Sequence, residues 1–240
     1  MQVILHPTLY CSLHCPGCYA YKANTMVSKE AINNYYKLAK YIKVDELNIL
    51  INQGQNKQLF DLLEPAINSV NKITVLTTPF QYEWGIPKTI KNSKIEFHIS
   101  IDRYKLININ DIFKFNKDQN ITNYNVYIYD QYDFDVAYSL IELMDKPVYI
   151  VFSKKENLSK YRYDYYVDWA NKLKSKYGAK IHIDTCMINC TANRTVSVFH
   201  DGYSFCPVVH SHLTLEQTLN IIRYKKIDTL YKDKCVNKWR

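Results

Sequence analysis

The segment Cys11-Ser12-Leu13-His14-Cys15-Pro16-Gly17-Cys18 sets three thiols at spacings of three and then two residues, just after the apolar run Val3-Ile4-Leu5 and ahead of Tyr19-Ala20-Tyr21. Three thiolates on one short loop can hold three corners of an iron-sulfur cubane. Such a cluster leaves one iron open to a small-molecule ligand, whereas a structural zinc site takes a fourth protein ligand. His14 is a candidate fourth ligand for zinc, and three reduced thiols without metal are the remaining alternative.

The chain has seven cysteines, an odd number that disulfides cannot use up. After Cys18 none occurs until Cys186, Cys190, Cys206 and Cys235. A thiolate-metal reading explains three plus four, and a disulfide reading does not. At 240 residues and 47% apolar, the chain suffices for one sizeable core with a small appendage. No apolar run reaches the roughly 18 residues of a membrane-spanning helix, and Met1-Gln2-Val3 lacks the basic region of a signal peptide. A soluble, cytoplasmic protein is expected. The net charge of +8 suits an anionic partner, nucleic acid included, although the lysines are dispersed and form no cationic block.

Strand-like and helix-like stretches alternate. Strands are expected at 3–9, 47–51, 73–77, 95–101, 124–129, 148–152 and 180–183, and the first delivers the cysteine loop at its C-terminal end. Helices are expected from Ser28 as N-cap, with Ala31, Tyr35, Leu38 and Ala39 on one face, and over 59–70, 136–144 and 162–177, the last closed by Gly178. The stretch 79–87 reads as an irregular loop. Repeating βα units imply a parallel sheet with right-handed crossovers, and six units are too few for a closed eight-stranded barrel. An α/β fold is therefore expected, a partial (β/α)6 barrel over 1–184, with chemistry at the C-terminal ends of its strands. Residues 185–240 are expected to form a small second domain of β-hairpin plus helix. Asp201-Gly202 lies between two alternating segments and predicts a two-residue hairpin turn that pairs His200 with Tyr203 and brings Cys206 level with Ser197. A helix over 213–230 would return Cys235 to the same place.

The triplet and its position resemble the radical S-adenosylmethionine superfamily, whose signature is a Cys-x3-Cys-x2-Cys loop after the first strand of a partial barrel. The C-terminal hairpin and helix resemble the twitch domain, the shortened SPASM domain that holds an auxiliary 4Fe-4S cluster. The resemblance implies one 4Fe-4S cluster on Cys11, Cys15 and Cys18, and a second on Cys186, Cys190, Cys206 and Cys235, for which tetrathiolate zinc is the alternative. It also implies an S-adenosylmethionine pocket. Gly17 would offer its backbone to the adenine, Tyr19 would pack near the cluster, and Asn52, Gln53 and Gly54 would meet the methionine amino group. Ser100 and Asp102, on one face of the fourth strand by alternation, would reach the ribose. The family usually has an aromatic residue where this chain has Gly17, and Gly-Gly-Glu where it has Asn52-Gln53-Gly54-Gln55.

The implied chemistry starts with an external electron donor such as flavodoxin or ferredoxin. Reductive cleavage of S-adenosylmethionine then gives a 5′-deoxyadenosyl radical that takes a hydrogen atom from a peptide or small metabolite. Two other functions stay open. The Cys-Pro-Gly-Cys-Tyr ending resembles glycyl-radical-enzyme activases, and zinc in both cysteine groups would make a non-enzymatic protein that docks on nucleic acid.

Overall fold

The computed structural model describes residues 1–8, 11, 27–51, 56–91, 95–102, 104–105, 108–130, 132–152, 160–183, 194–206 and 211–224. Within them lie strands β1 (Gln2–Leu5), β2 (Glu46–Leu50), β3 (Lys72–Thr77), β4 (Glu96–Ile101), β5 (Ile121–Ile128), β6 (Val148–Phe152), β7 (Ile181–Ile183), β8 (Thr195–Phe199) and β9 (Gly202–Ser204). They form one sheet in the order β7-β6-β5-β4-β3-β2-β1-β8-β9. From β1 to β7 each strand pairs parallel with the next in the chain. β8 adds on the free side of β1, also parallel, and β9 turns back antiparallel to it. A mostly parallel α/β sheet wound in chain order is the arrangement a partial barrel is built from, and all seven strands expected over 3–183 are present. The first is shorter than expected, because Pro7 has no N–H to extend the ladder.

The helices are α1 (Lys29–Ala39), α2 (Asn56–Ser69), α3 (Lys88–Lys91), α4 (Ile109–Lys117), α5 (Asp133–Leu143), α6 (Lys160–Tyr177) and α7 (Leu215–Tyr224). Ser28 caps α1 as expected, its Oγ accepting from Ala31 N at 3.1 Å, and Ala31, Ile32, Tyr35 and Leu38 are its buried face. Gly178 ends α6 at φ +60°, the left-handed position that glycine takes without strain. Three elements depart from the sequence expectation, the short helix α3 among them. The stretch 79–87 contains a π-helical turn, Gln81–Gly85, whose Tyr82 is buried against Phe97 of β4 and Phe115 of α4 and hydrogen-bonds Asp118. Helix α4 itself has no counterpart in the periodicity reading.

Register separates the sheet into two unlike faces. Phe97 meets Tyr82, Tyr124 of β5 donates to Asn116 of α4 at 2.7 Å, and Phe152 of β6 stacks on Tyr166 of α6. These residues and their register partners, Val75, Ile99 and Ile128 among them, are buried and largely apolar, so the hydrophobic core lies between this face and the helices. The opposite face carries Asn48, Thr74, Glu96, His98, Ser100, Asn125, Tyr149 and Ser197. Branched apolar residues, which normally fill the inside of a parallel barrel, are the minority there.

Candidate functional site

Ser100 and Asp102 lie on the polar face at the C-terminal end of β4, as alternation requires, and both are buried. Asp102 is bound by its own strand end and by β5. Its Oδ1 accepts from Tyr104 N at 2.8 Å and Lys105 N at 3.0 Å. Its Oδ2 accepts from Tyr129 OH at 2.8 Å and from Lys105 Nζ. An ionised carboxylate has about four acceptor positions, so these four donors fill it. The Asp102 side chain has no exposed surface and that of Lys105 is 10% exposed.

The surrounding residues hold this ion pair in place. The Lys105 ammonium lies 3.9 Å from the Tyr127 ring centroid, a cation-π contact. Tyr104 meets Tyr129 edge to face at 5.2 Å. Asp133, buried at the start of α5, accepts from Tyr129 N at 2.6 Å and Asp130 N at 3.0 Å, which fixes the chain as it leaves β5. Lys105, Tyr129 and Asp133 were not anticipated from the sequence. Tyr127 and Tyr129 share the alternation of Asn123 and Asn125, a pattern that could have placed both rings on the Asp102 face.

Lower on the same face, Asn123 Nδ2 lies 2.6 Å from His98 Nε2. Neutral imidazole accepts that donor and imidazolium cannot. Burial, with a smaller contribution from the Lys72 charge, pushes His98 from 6.5 down to about 4, which agrees with the contact.

At the C-terminal end of β1 the chain toward the cysteine loop is tied on two sides. Ser28 N donates to Pro7 O at 2.7 Å, and Thr8 Oγ1 donates to Leu50 O at 3.5 Å, joining the loop start to the head of α1 and the end of β2. Cys11 follows, half-buried. Cys15, Gly17, Cys18 and Tyr19 lie outside the described residues, as do Asn52, Gln53 and Gly54, which follow β2 directly.

The hairpin corrects the expected register. Phe199 pairs with Gly202, Val198 with Tyr203 and Ser197 with Ser204, so the turn residues are His200 and Asp201. A two-residue I′ turn needs positive φ at both central positions, and among the described non-glycine residues only His212 has it. Gly202 serves a different need. At φ +143° it sits against the backbone of Leu213, whose carbonyl oxygen would lie 2.6 Å from an added Cβ. Tyr203 and Leu213 exchange backbone hydrogen bonds at 3.0 and 2.9 Å across this approach.

The residue level with Ser197 is Ser204, the last of β9, and Cys206 lies two residues beyond the ladder. Cys206 is half-buried, its N–H on Ser204 Oγ at 3.2 Å. Cys186, Cys190 and Cys235 lie outside the described residues. Among the described residues no group of three or more His, Cys, Asp or Glu side chains could hold a metal ion. None of their helices is long and apolar enough to cross a membrane.

No protein-family model matches the chain. No curated protein matches it either. Among solved structures, native anSMEcpe with bound AdoMet superposes with a TM-score of 0.58 at 12% identity, over 98% of this chain and 88% of that one. Native anSMEcpe with bound AdoMet and the Cp18Cys peptide gives 0.47 at 12% identity, over 75% of this chain. The chain spans 63% of that structure's length. At these identities the likeness is one of fold, and the fold is that of a protein solved with S-adenosylmethionine.

Proposed function

We propose that the chain is a radical S-adenosylmethionine enzyme. The observation that carries the reading is the position of the cysteine triplet: Cys11, Cys15 and Cys18 follow the C-terminal end of β1 in a fold shared with an S-adenosylmethionine-bound structure. The donor set fits the group, because three thiolates suit a site-differentiated 4Fe-4S cluster and half-buried Cys11 begins the loop at the chemical end of the sheet. When bound, that cluster supplies a one-electron cleavage of S-adenosylmethionine and hence hydrogen-atom abstraction from a peptide or small metabolite, with an external donor providing the electron.

The protein's own residues bind and orient. Ser100 offers a hydroxyl toward the ribose end of the cofactor. Asp102 acts there through Lys105 and Tyr129, since its own acceptor positions are taken. Gly17, Tyr19, Asn52, Gln53 and Gly54 are assigned to the adenine and methionine ends on the resemblance alone. Cys186, Cys190, Cys206 and Cys235 are assigned to an auxiliary 4Fe-4S cluster.

Anaerobic reconstitution followed by iron and zinc analysis tests the assignment. About eight irons are expected from two four-iron clusters, falling to about four when the four late cysteines are changed together. One zinc beside four irons would replace the auxiliary cluster with a structural clip and favour an activase. Zinc without iron would refute radical chemistry altogether.

A further inference from the structure

The two ends of the segment that carries the first three cysteines meet, and both are fastened to the C-terminal hairpin. Ser28 N donates to Pro7 O at 2.7 Å, which closes the base of that segment. On the β1 side, His6 N donates to Val198 O at 3.0 Å, and the His6 ring stacks on Phe199 with centroids 4.3 Å apart and planes 19° from parallel. On the α1 side, Asn34 Nδ2 donates to Phe199 O at 3.0 Å and to His200 O at 3.2 Å. Tyr203 OH returns a bond to Asn34 O at 2.9 Å. Phe199 therefore holds both the strand that enters the cysteine segment and the helix that leaves it.

The residue types follow from these contacts. Asparagine is a weak helix former, because its carboxamide competes for backbone hydrogen bonds. Inside α1, Asn34 directs that carboxamide to two successive carbonyls of the hairpin, to which a hydrocarbon side chain would offer no donor. Those carbonyls lie 165 and 166 residues further along the chain, so the contact serves tertiary structure and not the helix. His6 and Phe199 are 4% and 3% exposed, which puts their stack in close-packed surroundings that resist sliding. A metal site is only as well defined as the elements that support its ligands, and cluster properties respond to that support.

We infer that Asn34 and Phe199 are positioning residues, which fasten both ends of the Cys11–Cys18 segment to the C-terminal hairpin so that the hairpin sets where the first cluster is held. The inference rests on the proposed function for the cluster itself, but the link between hairpin and segment can be measured in metal-free protein.

Two readings test it. Amide hydrogen exchange on the full metal-free chain reports the base of the segment at Ser28, and electron paramagnetic resonance of the reduced, iron-loaded chain reports the g-values that respond to added S-adenosylmethionine. Asn34→Leu is expected to speed exchange at Ser28 about tenfold, in line with the loss of one to two neutral hydrogen bonds, and to shift those g-values. Asn34→Gln, which keeps a carboxamide donor, should recover both. Tyr36→Phe is the control, because it removes a 2.8 Å bond from the same helix to Leu62 O and touches no hairpin contact. It should leave both readings at wild-type values. Phe199→Leu, which removes the His6 stack, carries the same comparison should Asn34→Leu not fold. Exchange at Ser28 or g-values that stay at wild type in the hairpin-contact variants overturn the inference. Tyr36→Phe matching Asn34→Leu overturns it as well, since both readings would then follow helix stability alone. A chain that cleaves S-adenosylmethionine while Ser28 exchange ignores Asn34 loses this inference alone. One that takes up no iron yet shows the exchange effect keeps the link and loses the proposed reaction.

Discussion

The phenol of Tyr129 donates to Asp102 Oδ2 at 2.8 Å, tying the C-terminal ends of β4 and β5 together through a carboxylate that also holds Lys105. Replacing Asp102 with Ala would take the carboxylate from a nearly buried ammonium and remove an acceptor of the Tyr129 phenol. A loss of about 3 kcal/mol is expected by urea unfolding, because breaking a buried ion pair strands the partner charge. Tyr129→Phe removes one neutral donor and should cost about 1 kcal/mol. Equal, small losses in both would mean that Lys105 is solvated and that the cluster does not organise the strand ends.

Gly202 and Gly178 both have positive φ but face different surroundings. An alanine Cβ at Gly202 would sit 2.6 Å from Leu213 O, whereas nothing lies within 4 Å at Gly178. Gly178→Ala should therefore cost about 1 kcal/mol of backbone strain. Gly202→Ala should cost about 2 kcal/mol or more, because the Tyr203 and Leu213 hydrogen bonds must also part. Thermal unfolding of the two variants side by side checks the order, and a reversed order would refute the close approach.

The parallel strands could be read from the sequence because each buries one apolar face, which leaves a period of two in a single segment. The expected N-cap at Ser28 and C-cap at Gly178 were equally local. What escaped depends on distant partners. β8 pairs with β1 across most of the chain, so no local pattern shows that the hairpin extends the main sheet. Asp102 was legible as a polar strand end, but its partner Tyr129 lies 27 residues on. α4 was missed because Asn108, Asn110 and Asn116 dilute a face that buries only Ile112 and Phe115. In the hairpin, Asp201-Gly202 looked like a turn because glycine was credited with turn geometry, when the residue is needed for backbone approach.

His98 links stability to pH. Its value falls from 6.5 to about 4 on folding, so between those values the unfolded chain binds more protons than the folded one. The contribution of neutral His98 is complete above about 6.5 and is lost as pH falls toward about 4. About 2 kcal/mol should disappear across that window in the wild type and much less in His98→Gln. Urea midpoints at pH 7 and pH 4.5 decide the matter: the same loss in both proteins would show that other groups carry it.

The central claim is that Cys11, Cys15 and Cys18 hold the cluster that cleaves S-adenosylmethionine. Its most direct measurement is 5′-deoxyadenosine released from S-adenosylmethionine by the reconstituted protein under dithionite, compared with Cys11→Ala, Cys15→Ala and Cys18→Ala. Release by the wild type and none above background from any of the three is expected, since two thiolates do not hold a site-differentiated cluster. Cleavage retained by any single variant, or no cleavage by an iron-loaded wild type, would contradict the account.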